Sequence, residues 1–126
     1  MSKHKILIVD DETDIVTSVA FILKSRGYEV ITASDGAKGL VMAKNEYPDL
    51  ILLDIMMPMM DGYEVCGKLK ADKNTIKTPI IMFSAKGEGE SVSLAKKAGA
   101  NDYIVKPFSL PTLLNKVSRL LDKRNS

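Results

Sequence analysis

Asp49-Leu50-Ile51-Leu52-Leu53-Asp54-Ile55-Met56-Met57-Pro58-Met59-Met60-Asp61-Gly62 is the stretch whose reading decides the fold. Its aliphatic run, residues 50–53, has the length and composition of a strand buried on both faces, and it stops on a carboxylate, Asp54. Pro58 and Asp61-Gly62 then mark a turn before a helical pattern resumes. Asp54 is therefore expected at the carboxyl end of its strand, at the mouth of a strand-to-helix loop. In open α/β sheets that is where ligands and chemistry collect.

Outward from this stretch the same punctuation repeats. Residues 5–9 read as a short apolar strand that also ends on acids, Asp10-Asp11-Glu12. Ile15, Val16, Val19, Ile22 and Leu23 follow at helical spacing, and Gly27 closes that helix. Residues 28–33 read as a strand, and residues 36–45 as a helix weakened by two glycines and stopped ahead of Pro48. A third helix is expected over 63–72 and a fourth strand over 80–83, ending on Ser84-Ala85-Lys86. The fourth helix, about 88–98, has a poor apolar stripe and reads as a mobile or partner-facing element. Residues 102–105 form the last strand, ending on Lys106-Pro107. Leu110, Leu113, Leu114, Val117, Leu120 and Leu121 then make the cleanest amphipathic helix of the chain. Five strands alternating with five helices over short connections specify an α/β domain, with a mostly parallel sheet and helices on both faces.

Length and composition set the bounds. The 126 residues suit a single domain, 1–126. No apolar run approaches the roughly 18 residues that span a bilayer, and no signal segment precedes the first strand, so a cytoplasmic protein with no membrane partner is expected. The one cysteine, Cys66, excludes an internal disulfide and sits on a helical pattern as a small, partly buried hydrophobe. The net charge is +2 and the basic residues are dispersed, which argues against direct nucleic-acid binding.

In a parallel sheet all carboxyl ends lie on one edge, so Asp10, Asp11, Asp54, Ser84 and Lys106 should gather in one shallow site. Carboxylates brought that close repel by about 4 kcal/mol per pair at 4 Å and an effective dielectric near 20. A hard divalent cation such as Mg2+ offsets this, and Lys106 supplies a fixed positive charge beside it. With no histidine or cysteine at the rim, zinc is not expected.

The motifs Val9-Asp10-Asp11-Glu12, Leu53 to Gly62, Ser84-Ala85 and Gly99 to Phe108, in this order and each at its own strand end, resemble the receiver domain of two-component response regulators. That phosphoacceptor family includes the chemotaxis protein CheY, and the resemblance covers essentially the whole chain. It implies a doubly wound (βα)5 flavodoxin-like sandwich with a parallel sheet in the order 2-1-3-4-5. It further implies that Asp54 accepts a phosphoryl group from a sensor histidine kinase or phosphotransfer protein. Asp11, Asp54 and the backbone carbonyl of Met56 would ligate Mg2+, or Mn2+ in its place, with Asp10 acting through water. Ser84 and Lys106 would bind the phosphoryl oxygens, Ser84 and Tyr103 would form the switch, and Lys106-Pro107 would be a cis peptide. The domain would be a signalling module, catalysing only its own phosphorylation and dephosphorylation. Its output would be a surface made by the fourth helix, fifth strand and fifth helix, read by a downstream target protein or a C-terminal output domain.

Two positions depart from CheY: Met56 stands where CheY has asparagine, and Lys86 where it has glutamate. An apolar Met56 is expected not to position attacking water, giving a longer-lived phosphoryl group. The segment 99–108 looks like receivers that dimerise on phosphorylation through a charged network. Asp102 and Lys116 would serve in it, although Thr112 replaces an acid usual there.

Blander readings apply residue by residue. Asp11 alone reads as an N-cap of the first helix, Asp61 as a turn former, Tyr103 as an ordinary strand aromatic, the loop methionines as filler, and His4 as a solvated terminal residue. They do not account for the full set at the strand ends. Competing whole-chain readings are a pseudo-receiver that never takes phosphate, a haloacid-dehalogenase-like phosphatase and a flavodoxin. The phosphatase needs a second acid where Met56 stands. The flavodoxin needs a Ser/Thr/Gly-rich phosphate loop where acids follow the first strand.

Overall fold

In the computed structural model, five elements of each kind alternate along the chain: β1 (Lys5–Val9), α1 (Thr13–Ser25), β2 (Glu29–Ala33), α2 (Gly36–Glu46), β3 (Leu50–Asp54), α3 (Gly62–Lys70), β4 (Ile80–Ser84), α4 (Gly89–Ala98), β5 (Asp102–Val105) and α5 (Leu110–Asn125). The structure describes residues 3–84 and 89–125, without the side chains of residues 84, 89–92 and 123–125. The strands form one parallel sheet in the order β2-β1-β3-β4-β5. This is the doubly wound, flavodoxin-like order, with the central strands β1, β3 and β4 apolar on both sides.

Alternation along each strand sorts the side chains between two cores. Leu7, Val9, Ile51, Leu53, Ile80 and Met82 pack with Ala43 of α2, Val65, Cys66 and Leu69 of α3, and Ala95 of α4. Ile6, Ile8, Leu50, Leu52, Ile81, Phe83 and Ile104 pack on the other face with Val19 and Leu23 of α1 and Leu113, Val117 and Leu121 of α5. Burying each such aliphatic side chain stabilises the fold by about 2 kcal/mol. Cys66 is fully buried, and its Sγ lies 3.4 Å from the Ala98 carbonyl oxygen at the end of α4.

The two glycines of α2 have a steric role beyond lowering helix propensity. A Cβ on Gly39 would lie 2.8 Å from a Val9 methyl, and one on Gly36 2.8 Å from a Val65 methyl, so both let α2 lie close on β1 and α3. Gly27 closes α1 with φ +91°. Asp61 does more than turn the chain: it is the N-cap of α3, its Oδ1 accepting from the Glu64 N–H at 2.9 Å. Ser109 caps α5 in the same way, its Oγ accepting from the Thr112 N–H at 3.2 Å and pairing with the Thr112 hydroxyl at 2.8 Å. The third helix is shorter than the sequence suggests, ending at Lys70. Residues 71–79 are turns, held in part by the Thr75 hydroxyl donating to the Leu69 carbonyl at 2.6 Å.

Candidate functional site

Strand parity builds the site. Asp10 continues the series Ile6, Ile8 of β1, and Asp54 continues Leu50, Leu52 of β3, both on the α1/α5 side. The β1/β3 register pairs Val9 with Leu53, so one step further the two carboxylates stand side by side. Lys106, two residues on from Ile104 and one beyond the end of β5, keeps the same side and reaches back across the rim. Its ammonium passes 5.7 Å from the centroid of Phe83, whose ring stacks on Phe108 at 5.3 Å and 6°. These two rings form the apolar wall beside the charges.

Lys106 Nζ lies 3.0 Å from Glu12 Oε1, 3.2 Å from Asp54 Oδ1 and 3.5 Å from Asp10 Oδ2. Asp10 and Asp54 are almost fully buried, at 1% and 2% exposure. Asp10 is tied down further, its Oδ1 accepting from the Glu12 N–H at 2.9 Å. Asp54 Oδ2 is buried without a hydrogen-bond partner. Three carboxylates face one ammonium, so two negative charges stay uncompensated when all are ionised. Burial first, and the neighbouring Asp10 charge second, push the Asp54 carboxyl from 3.8 up to about 7, against the downward pull of Lys106. For Lys106, burial works against the ammonium, but the Glu12 hydrogen bond and the charges of Asp54 and Asp10 outweigh it and hold its pKa above the ordinary lysine value.

The gathered acids are Asp10, Glu12 and Asp54, whose ligand oxygens lie within 4.8 Å of one another. Asp11 is exposed, and its side chain is outside that trio. It faces a cleft of about 110 Å³ that it shares with Asp10, Thr13, Val16, Thr32, Ala33 and Ser34. Nor is Asp11 the N-cap of α1: Glu12 occupies that position, and no side chain caps it. Glu12 is the site residue that the sequence reading passed over. The signal available was the third acid of the run after β1, read only as part of the strand's end. Met56, the second residue of the β3–α3 loop, has its side chain exposed, and Met59 nearby is exposed with φ +71°. Gly62 makes this loop close-packed, since a Cβ there would lie 2.5 Å from the Asp54 carbonyl oxygen.

Lys106-Pro107 is a cis peptide. Tyr103 is half-buried on the edge strand β5, with Lys116 Nζ 5.5 Å from its ring centroid. The same ammonium pairs with Asp102 at 2.9 Å within the chain. The Ser84 side chain and Lys86 lie outside the described residues. His4 is half-buried beside β2, its carbonyl accepting from the Glu29 N–H at 2.9 Å.

The donor set is oxygen only, which suits a hard divalent cation and not zinc. Asp54 Oδ2, buried and without a partner, is an atom such a cation would satisfy.

The family model of the response regulator receiver domain matches residues 6–118. The chain belongs to that family. This receiver is 50% identical over 105 residues to the alkaline phosphatase synthesis transcriptional regulatory protein PhoP of Bacillus subtilis (strain 168), a match covering 83% of the chain and 43% of PhoP. Among solved structures, a response regulator receiver domain protein (CheY-like) from Methanospirillum hungatei JF-1 superposes with a TM-score of 0.91 at 36% identity, covering 98% of each chain. The receiver domain of the sensor histidine kinase PA1611 from Pseudomonas aeruginosa PAO1, which has a magnesium ion coordinated in its active-site cleft, superposes with a TM-score of 0.88 at 30% identity, covering 96% of this chain and 99% of that one. The receiver spans about half the length of the curated relatives it matches. As a family member it is the phosphoacceptor signalling domain of a two-component system, which sets aside the phosphatase and flavodoxin readings. No helix among the described residues is long and apolar enough to cross a membrane.

Proposed function

We propose that Asp54 is the phosphoacceptor, taking its phosphoryl group from the phosphohistidine of a sensor histidine kinase or phosphotransfer protein in the cytoplasm. The observation that carries this reading is the state of Asp54: a buried carboxylate at the carboxyl end of β3, with Oδ1 on Lys106 and Oδ2 without a partner. A carboxylate oxygen forms the new bond to phosphorus as the bond from phosphorus to the donor imidazole nitrogen breaks, and the electron pair leaves with that nitrogen. Asp11, Asp54 and the backbone carbonyl of Met56 would hold Mg2+, with Mn2+ as its alternative and Asp10 acting through water. The cation would neutralise charge on the acids and on the phosphoryl oxygens. Lys106, already held at 3.2 Å from Asp54, and Ser84 would donate to those oxygens.

The new charge on Asp54 then redistributes the partners of Lys106 and Ser84, and Tyr103 relays the change to the α4, β5 and α5 surface. That surface would act on a downstream target protein or on a C-terminal output domain. A phosphorylation-dependent homodimer formed through it would require the Asp102–Lys116 pair, closed within the chain at 2.9 Å, to open toward the partner. The exposed apolar Met56 side chain gives attacking water no hydrogen-bonding guide. Met56→Asn is expected to shorten the phosphoryl lifetime severalfold, and Met56→Leu to leave it unchanged; faster loss in the leucine variant would overturn this.

The direct test is intact mass after incubation with Mg2+ and acetyl phosphate. One phosphoryl adduct is expected in the wild type, and none in Asp54→Asn or without the cation. An adduct that survives in Asp54→Asn would place the acceptor elsewhere.

A further inference from the structure

We propose that Glu12 is a positioning residue that holds the Lys106 ammonium in the resting state and competes with the phosphoryl group for it. This rests on the assignment of Asp54 as acceptor. The ammonium has three N–H donors, and three carboxylates take them, the shortest contact being to Glu12 at 3.0 Å. Glu12 is free for this because the N-cap position it occupies on α1 has no side-chain cap bond, and Asp10 holds its backbone N–H. To donate to a phosphoryl oxygen, Lys106 must release one acid. Asp10 and Asp54 are buried, with side chains 0% and 3% exposed, whereas the Glu12 side chain is 56% exposed and regains water when released. Glu12 is therefore the partner given up. A contact present only before phosphorylation stabilises the resting state, so Glu12 sets how readily the phosphorylated form is populated.

The test is binding of beryllofluoride, a phosphoryl mimic, followed by 19F NMR at saturating Mg2+. Glu12→Gln keeps the shape and removes the charge. It is expected to bind roughly three- to fivefold more tightly than the wild type, the factor a partly exposed ion pair is worth. Asp14→Asn removes an equal charge in the first turn of α1 from an exposed residue with no described ion pair to Lys106, and should change affinity by less than about twofold. In the metal-free protein, the Lys106 ammonium 15N signal, sharpened by its three acceptors, should broaden in Glu12→Gln and not in Asp14→Asn. Equal or weaker binding in Glu12→Gln overturns the proposal, as does an equal gain in Asp14→Asn. Weaker Mg2+ binding in Glu12→Gln would make Glu12 a metal ligand and also overturn it. Absence of beryllofluoride binding in the wild type would instead count against Asp54 as acceptor.

Discussion

The two ends of the sheet each place one lysine among carboxylates, with opposite consequences. At the amino end Lys5 Nζ lies 3.8 Å from Glu29 and 3.6 Å from Glu46, and also donates to the Glu46 carbonyl at 3.0 Å. The Lys5 N–H donates to Asp49 Oδ2 at 2.7 Å. Both glutamate side chains stay close to half exposed, so water shares their charge and the pairs contribute at most about 1 kcal/mol each. At the carboxyl end the same composition is drawn inward: Asp10 and Asp54 are buried, one oxygen of Asp54 lacks a partner, and its carboxyl is pushed up to about 7. Like charges at the surface are ordinary, whereas like charges held out of water form a site that a cation or a new phosphoryl bond can relieve. What separates a structural charge cluster from a reactive one here is burial and the leftover oxygen, not residue type.

The sharpest way to break this contrast is to remove each lysine. Lys106→Met should destabilise the metal-free receiver by about 3 kcal/mol at pH 8 in urea unfolding, because it leaves buried carboxylates uncompensated. The loss should shrink toward pH 5, where Asp54 takes a proton. Next in size is Asp54→Asn, which should stabilise the metal-free receiver by a few kcal/mol at pH 8. The folded state holds the Asp54 proton up to about 7, while the unfolded chain releases it near 3.8. Ionising Asp54 therefore costs stability as pH rises through that window, and the gain from asparagine should fade as pH falls back toward 4. Asp61→Ala removes an ordinary helix cap at the carboxyl end and should cost about 1 kcal/mol at either pH, separating general fragility of that edge from its charge. Smallest is Lys5→Met, expected to cost less than about 1 kcal/mol with little pH dependence. A loss from Lys5→Met matching that from Lys106→Met would erase the distinction.

Much of this arrangement was legible in the sequence, and for identifiable reasons. Runs such as residues 50–53 must be buried on both faces to be stable, which fixes a central parallel strand, and residues that end such strands share one edge. Asp10, Asp54 and Lys106 were placed that way, and the structure brings them within contact of one another. The role of Glu12 was not legible, because it depends on which acid turns toward a lysine 94 residues away. Capping preferences suggested Asp11 for α1, yet Asp10 bonds the Glu12 N–H instead and leaves α1 without a side-chain cap. Asp61 looked like a turn former because N-caps and turns favour the same side chains, and only the bond to Glu64 separates the two. The glycines of α2 looked like weaknesses because sequence shows propensity and not what a Cβ would strike.

The most direct measurement is the titration of Asp54 itself, followed by the 13C resonance of its carboxyl in the metal-free receiver and again with Mg2+. A midpoint near 7 without metal, falling into the ordinary carboxylate range when Mg2+ is added, is the result expected of a buried carboxylate with one unpartnered oxygen beside Asp10. A midpoint already in the ordinary range and indifferent to Mg2+ would contradict it, and would make the carboxyl end of the sheet no different in kind from the amino end.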